Sequence, residues 1–319
     1  MPFQVAVVVP TFDRAELLRP TLAAVLGQTH APAEIVVVDD GGTDHTEHVV
    51  REFGPRVKYV RQPNGGQSVA RNTGVRATTA EWVALCDDDD LWRPNHLERM
   101  AAAAARFPSA EFLFSDFAVV RDEQWAGETK FATAPPGYWD GAAEVDGPFR
   151  LYSDLLARQF RFQPVFPSCS VFRRSLFDRV GGYDPAFARI GPEDWEFTLR
   201  AVAGVPVVAV AEPLVGIRKH AGNFSASLLK MLEGEVVILR HARTHHPLAK
   251  EFRAEIEAEI GQRTRAAAEV AFATERFDRV RELTKAVPAD LRHAKLKLKA
   301  LIAGLPNGLA KWLKRRVSG

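Results

Sequence analysis

The chain has 319 residues, enough for one large α/β domain and an appendage. Its net charge of +2 points to no oppositely charged partner, and its two cysteines, Cys86 and Cys169, exclude a disulfide framework or a cysteine-ligated metal site. The apolar run Val5 to Val9 is too short for a signal peptide, and no apolar stretch reaches the length of a bilayer span, so a reducing, cytoplasmic setting is expected.

The charge is unevenly spread. From Arg292 to the end there are eight Lys or Arg and no Asp or Glu, which leaves the preceding residues with a net charge of about −6. The basic tail is therefore a feature of its own.

In chain order, Phe3 to Val9 is a near-continuous apolar run, the pattern of a parallel strand buried on both faces. Pro10 to Arg14 reads as a loop. A helix follows from about Ala15 to Leu26, with Leu18, Leu22, Val25 and Leu26 at helical spacing. Glu34 to Val38 is a second buried strand. It ends in Asp39-Asp40-Gly41-Gly42-Thr43-Asp44, where Thr43 or Asp44 can cap the next helix. Val57 to Val60 is a third strand, Pro63 to Gly66 a turn, and Ser68 opens a helix through Val75.

Trp82 to Cys86 is a fourth strand, and it ends in four carboxylates, Asp87-Asp88-Asp89-Asp90. Pro94 suits the first turn of the helix that follows, to Arg106. Four repeats of strand, loop and helix predict βαβ units, a parallel sheet and right-handed crossovers. The loops then converge on the carboxyl edge of the sheet, where ligands bind in open α/β folds. Asp39, Asp40, Arg71 and the four-Asp run meet there.

Adjacent carboxylates repel, and a bound cation relieves the repulsion. Hard oxygen donors suit Mg²⁺ or Mn²⁺, and Mg²⁺ shares its shell with water and substrate phosphates. The competing reading is a solvated loop whose last Asp caps the next helix. These residues alone leave both open.

Glu111 to Val120 is another strand. Residues 122–163 read as a long irregular loop with Trp125, Phe131, Tyr138 and Trp139, a candidate acceptor-side lid. Ser168 to Phe172 is a strand, Ser175 to Val180 a helix, and Gly191-Pro192-Glu193-Asp194-Trp195-Glu196 leads another helix. Val205 to Val210 and Val215 to His220 read as two separate segments. From about Ser225 the pattern turns all-helical, with Leu248, Phe252, Ile256 and Ile260 four residues apart. The expected division is therefore 1–225 and 226–319.

Val8 to Arg14, Val37 to Asp44, Asn64-Gly65-Gly66 with Ala70-Arg71-Asn72, and Asp87 to Trp92 form an ordered set, with Glu193-Asp194 about a hundred residues on. Over residues 3 to 225 this set resembles the family 2 glycosyltransferases of the GT-A fold. The resemblance implies a Rossmann-like, mainly parallel central sheet with helices on both faces, followed here by a helical region. It also implies inverting transfer of a sugar from a nucleotide-sugar donor, a UDP-sugar by preference, to an acceptor hydroxyl in cell-surface polysaccharide or glycoconjugate synthesis.

Carried over by position, Pro10, Thr11, Phe12 and Asp40 line the nucleobase pocket, with Asp39 beside them. Asp40 is placed to accept the uracil N3 hydrogen, since an ionised carboxylate must face a donor. Arg71 faces phosphate or ribose, and Asp87 and Asp88 contact sugar or ribose. Asp89 holds the divalent cation, Mn²⁺ or Mg²⁺, with His220 reaching the metal or diphosphate. Asp194 is the catalytic base and Glu193 orients the acceptor. Asp stands at every position of the acidic run, so which of Asp87 and Asp88 plays the first-Asp role stays open.

Two other functions compete. A sugar-phosphate nucleotidyltransferase shares a related fold but carries a Gly-rich basic loop after strand one, where Pro10-Thr11-Phe12-Asp13-Arg14 has no glycine. A non-catalytic GT-A-fold binding protein has no packing need for Asp89 and Asp194. The tail, with Leu305, Leu309, Trp312 and Leu313 set against Lys311, Lys314, Arg315 and Arg316, has two readings. One is a peripheral contact with the inner face of the plasma membrane, suiting a lipid-linked acceptor. The other is packing on the helical region, with solvated charges. No nucleic-acid partner is expected.

Overall fold

The computed structural model describes residues 3–219 and 227–317. It divides into two compact units, one of residues 1–189 with 193–221, the other of residues 190–192 with 222–319.

The first unit begins with β1 (Val5–Thr11), α1 (Ala15–Leu26), β2 (Glu34–Asp39), α2 (Thr46–Glu52), β3 (Lys58–Arg61) and α3 (Gln67–Arg76). Then come β4 (Trp82–Leu85), β5 (Leu91–Trp92), α4 (His96–Arg106), β6 (Phe112–Arg121) and β7 (Gln124–Thr129). It closes with β8 (Glu144–Asp146), β9 (Phe149–Tyr152), α5 (Leu156–Arg161), β10 (Ser170–Arg173), α6 (Arg174–Val180), α7 (Glu193–Ala201) and β11 (Val207–Arg218).

These strands form one sheet in the order β3-β2-β1-β4-β10-β6-β11-β9-β8, with β5 on β11 and β7 on β6. β1, β2, β3 and β4 run parallel, as do β6 and β11, while β10 lies antiparallel between β4 and β6. The apolar runs explain the parallel half. All seven residues of β1 are buried, and Leu18, Leu22 and Val25 of α1 cover the sheet at zero exposure. Each such side chain contributes about 1.5–3 kcal/mol of burial. On α3, a Cβ at Gly74 would lie 2.2 Å from Val8 Cγ1, so glycine is what lets this helix lie close against β1.

Three expectations are corrected. Residues 122–163 are not one irregular loop. They hold β7, β8, β9 and α5, and Phe131, Tyr138 and Trp139 pack on one another at centroid distances of 4.1 and 4.7 Å. The strands are short and partly polar, so alternation does not announce them. Val205–Val210 and Val215–His220 are not two segments. β11 runs continuously from Val207 to Arg218, with register shifts around Pro213. Proline lacks an N–H and reads as a break, but a bulge absorbs it here. The helix expected from Pro94 starts at His96, and Leu91–Trp92 pairs with β11 first.

The second unit is helical: α8 (Leu228–His245), α9 (Arg253–Ala273), α10 (Phe277–Ala286), α11 (Ala294–Ile302) and α12 (Asn307–Val317). Ala267, Ala268, Ala271, Phe272, Phe277, Val280, Leu296, Ile302 and Ala310 make its core. Leu248 and Phe252 precede α9 rather than extending it, and α9 buries its alanine face instead. No described helix is long and apolar enough to cross a membrane.

Candidate active site

The site lies at the carboxyl ends of β1, β2 and β4, joined by the start of α7. Residues 87–90 form a turn closed by the Asp90 N–H to the Asp87 carbonyl at 3.1 Å. Ser168, in the turn just before β10, the neighbour of β4 in the sheet, fastens the acidic turn. Its Oγ accepts the Asp87 N–H at 2.9 Å and donates to Asp90 Oδ2 at 2.5 Å. Asp90 is thus a buried structural residue. Burial raises its pKa well above the ordinary range, and the Asp89 and Asp87 charges add to the rise.

Asp88 and Asp89 converge on one cation. Arg14 Nη1 donates to Asp88 Oδ1 and to Asp89 Oδ2, each at 3.1 Å. Thr11 Oγ1 donates to the other Asp88 oxygen at 2.7 Å. Burial pushes Asp88 up to about 7, the Asp89 charge adds to that, and Arg14 works against it. Thr21 Oγ1 lies 2.9 Å from the carbonyls of Asp88 and Asp90, while Arg218 bonds the Asp89 carbonyl and reaches the Leu17 carbonyl at 2.7 Å. The acidic turn is therefore held from α1, from β11 and from the turn at residues 167–169 that precedes β10.

A hard divalent cation fits this donor set, because two carboxylate oxygens already meet at a single positive nitrogen. Among the described residues, no group of three or more His, Cys, Asp or Glu side chains could hold an ion without help. An ion held by one or two carboxylates takes its remaining oxygens from water and phosphate, the habit of Mg²⁺.

Asp39 and Asp40 end β2 and fold the adjacent turns. Asp39 accepts the Gly42 N–H at 2.8 Å and the Tyr59 hydroxyl at 2.5 Å. Asp40 accepts from Gln62 Nε2 at 2.7 Å, the Gly65 N–H at 2.9 Å and the Gly66 N–H at 2.7 Å. Three donors leave this carboxylate with one further lone pair of about four. Gly66 has φ of +86°, a value glycine adopts freely, and this points its N–H at Asp40. Pro10 is buried within β1 opposite Val38, whereas Phe12, at 45% exposure, stands open at the end of that strand.

Arg71, on α3, is 1% exposed. Its Nη2 donates to Asp87 Oδ1 at 2.8 Å, and its Nη1 lies 3.5 Å from Glu193 Oε1. The Tyr183 ring lies 5.4 Å from the guanidinium. Asn72 beside it clamps the Tyr183 backbone, donating to its carbonyl at 2.7 Å and accepting its N–H at 2.9 Å. Arg71 thus joins the acidic turn to the first residues of α7. Burial raises the pKa values of both Glu193 and Asp194, and the Arg71 charge opposes the rise. A carboxylate with a raised pKa in a cleft is suited to taking a proton.

The structure brings together Thr11, Asp87, Asp88, Asp89, Arg71 and Glu193 through direct bonds or ion pairs, with Asp194 beside Glu193. Asp39 and Asp40 form a separate cluster with residues 59–66. His220 lies outside the described residues. Arg14 and Ser168, which carried no assigned role in the sequence, prove central. Arg14 sits in a quoted motif, but the contacts of Ser168 lie about eighty positions away in sequence and leave no local signal.

Residues 6–181 match the model of the family described as Glycosyl transferase family 2. An uncharacterized glycosyltransferase of Bacillus subtilis, YwdF, is 30% identical over 230 residues, 70% of this chain and 78% of that protein. The succinoglycan biosynthesis protein ExoW of Rhizobium meliloti is 28% identical over 241 residues, 70% of this chain and 72% of its own length. Among solved structures, Staphylococcus aureus TarS 1–349 in complex with UDP-GlcNAc gives a TM-score of 0.66 at 17% identity, over 98% of this chain and 92% of that one. The mannosyltransferase PcManGT of Pyrobaculum calidifontis, in complex with GDP-Man and Mn²⁺, gives 0.56 at 21% identity, over 98% and 86%. At these identities the structural likeness shows the fold, the GT-A arrangement that the sequence motifs implied. The family match and the relative at 30% identity go further: the chain belongs to glycosyl transferase family 2.

Proposed function

We propose that this glycosyltransferase is an inverting enzyme that moves a sugar from a UDP-sugar to an acceptor hydroxyl in cell-surface polysaccharide or glycoconjugate synthesis, residues 1–225 forming the transferase domain. One observation carries the reading: buried Arg71 ties the acidic turn to Glu193, the neighbour of the candidate base Asp194, so that a donor-binding edge and the start of α7 share one charged network. The UDP-GlcNAc complex of TarS supports the donor class, and the name of ExoW supports the polysaccharide setting.

In this reading Phe12 stacks on the nucleobase beside Pro10 and Thr11. Asp40 uses its remaining lone pair for the base N3 hydrogen, with Asp39 fixing the turn. Asp87 and Asp88 contact sugar or ribose. Arg71 contributes mainly by orienting Asp87, since it is enclosed. Asp89, with Asp88 beside it, holds the divalent cation, and the PcManGT complex with Mn²⁺ supports that choice. A cation bound there would supply Lewis-acid stabilisation of charge on the departing diphosphate. Asp194 takes the proton of the acceptor hydroxyl as it attacks C1 from the face opposite the diphosphate, and Glu193 orients the acceptor. Such a base contributes about 10²- to 10⁴-fold.

The test is UDP release from UDP-sugar donors by wild type and Asp194→Asn, with UDP binding measured in parallel. A loss of turnover of about 100-fold or more with binding retained supports the assignment. Equal turnover removes Asp194 from the role. The absence of turnover with every donor by a wild type that still binds UDP favours a non-catalytic binding protein.

A further inference from the structure

Nine large hydrophobic side chains are exposed among the described residues, and five of them fall between Leu298 and Trp312. They are Leu298 at 44%, Leu301 at 71%, Leu305 at 38%, Leu309 at 46% and Trp312 at 50%. These are not the edge of an unfilled core. The same two helices, α11 and α12, bury Leu296, Ile302 and Ala310 into the helical unit. Each helix therefore has an apolar inner side and a second, uncovered apolar side. Leu298 and Leu301 share one face of α11 by their i,i+3 spacing, as do Leu309 and Trp312 on α12.

Within residues 292–319 themselves the charge has one sign, although Glu269 and Glu275 of the same unit neutralise three of the lysines. No Asp or Glu occurs from Arg292 onward. Lys299 is engaged with Glu269, and Lys311 and Lys314 with Glu275 at 3.2 Å each. Lys295, Lys297, Arg315 and Arg316 are exposed and make no ion pair among the described residues. Arg316 lies over the Trp312 ring, 4.3 Å from its centroid, which sets a cation beside an amphipathic ring.

We propose that α11 and α12 form a docking face for an anionic lipid bilayer. Leu298, Leu301, Leu305, Leu309 and Trp312 enter the boundary between headgroups and acyl chains. Lys295, Lys297, Arg315 and Arg316 meet the lipid phosphates. Charge complementarity selects this occupant. A second copy of the chain would bring the same unbalanced cations against each other, with no acid from the tail to meet them. Nucleic acid would answer the charge but leave the leucines and Trp312 in water. A bilayer answers both, and one apolar and one electrostatic signal together suffice for stable peripheral binding. The proposal does not depend on the donor or the reaction.

The test is flotation of the full chain with vesicles of phosphatidylcholine alone and of phosphatidylcholine with phosphatidylglycerol. Wild type is expected to float only with the anionic vesicles. The variant Lys295→Gln/Lys297→Gln/Arg315→Gln/Arg316→Gln should lower the partition coefficient about 100-fold or more. The variant Leu301→Ser/Trp312→Ser should lower it about tenfold or more. All of these side chains are exposed, so melting temperatures should not change, and a variant that melts early is replaced by the corresponding single substitutions. Equal binding to both vesicle types, no binding by wild type, or undiminished binding by the variants overturns the proposal. So does a wild-type dimer in solution that Leu301→Ser/Trp312→Ser dissolves, since a second copy then covers the face.

Discussion

Arg71 holds Asp87 at 2.8 Å from a position that is 1% exposed, so the acidic turn is braced by a cation that solvent does not reach. An ion pair this enclosed is strongly weakened by losing one member, because the other charge stays behind without compensation. Arg71→Met is expected to cost about 3–5 kcal/mol of stability. Urea unfolding checks this, and the double variant Arg71→Met/Asp87→Asn should recover part of the loss. A cost below about 1 kcal/mol would mean that the pair is solvated and the network is not structural.

The same guanidinium sets a pH dependence. Burial raises the carboxyl pKa values of Glu193 and Asp194, and Arg71 holds the rise in check. A general base works only when ionised, so activity is gained as pH rises through the raised value. The acidic limb of kcat/KM should therefore lie above the ordinary carboxylate range of about 4. Arg71→Met removes the opposing charge and should move that limb to still higher pH. A limb at the ordinary carboxylate value, unmoved by the substitution, would contradict the assignment of Asp194 as base.

Arg14 occupies the point where a metal ion would be wanted, 3.1 Å from an oxygen of Asp88 and from one of Asp89. The two cations compete for the same carboxylates. Arg14→Ala should tighten binding of Mn²⁺ alone, by about tenfold if the relieved repulsion is near 1.4 kcal/mol. Calorimetric titration of Mn²⁺ without nucleotide reads this directly. Weaker Mn²⁺ binding in the variant would mean that Arg14 organises the site rather than filling it.

The parallel half of the fold was legible because its signals are local. The valine run of β1 and the Leu18, Leu22, Val25 spacing of α1 each lie within one window, and the burial follows them. The acidic cluster was legible for the same reason. The supports of the site were not. Ser168 meets Asp87 and Asp90, and Arg218 meets Asp89 and Leu17, across contacts that exist only once β10 and β11 are placed in the sheet. The sequence places Arg71 at the site, facing phosphate or ribose, but its burial and its pairing with Asp87 and Glu193 depend on tertiary partners that leave no local signal. The continuity of β11 was not legible because the stretch between Val210 and Val215 is irregular in register around Pro213, and a bulge there lets one strand span both apolar runs.

The central claim is that the acidic turn binds a nucleotide through a metal ion at Asp89. Calorimetric titration of UDP, with GDP and dTDP alongside, with and without Mn²⁺, tests it on wild type and Asp89→Asn. The account predicts UDP binding that requires Mn²⁺ and that Asp89→Asn abolishes. If no nucleotide binds under any condition, or UDP binds equally without metal and in Asp89→Asn, the account of this site is contradicted.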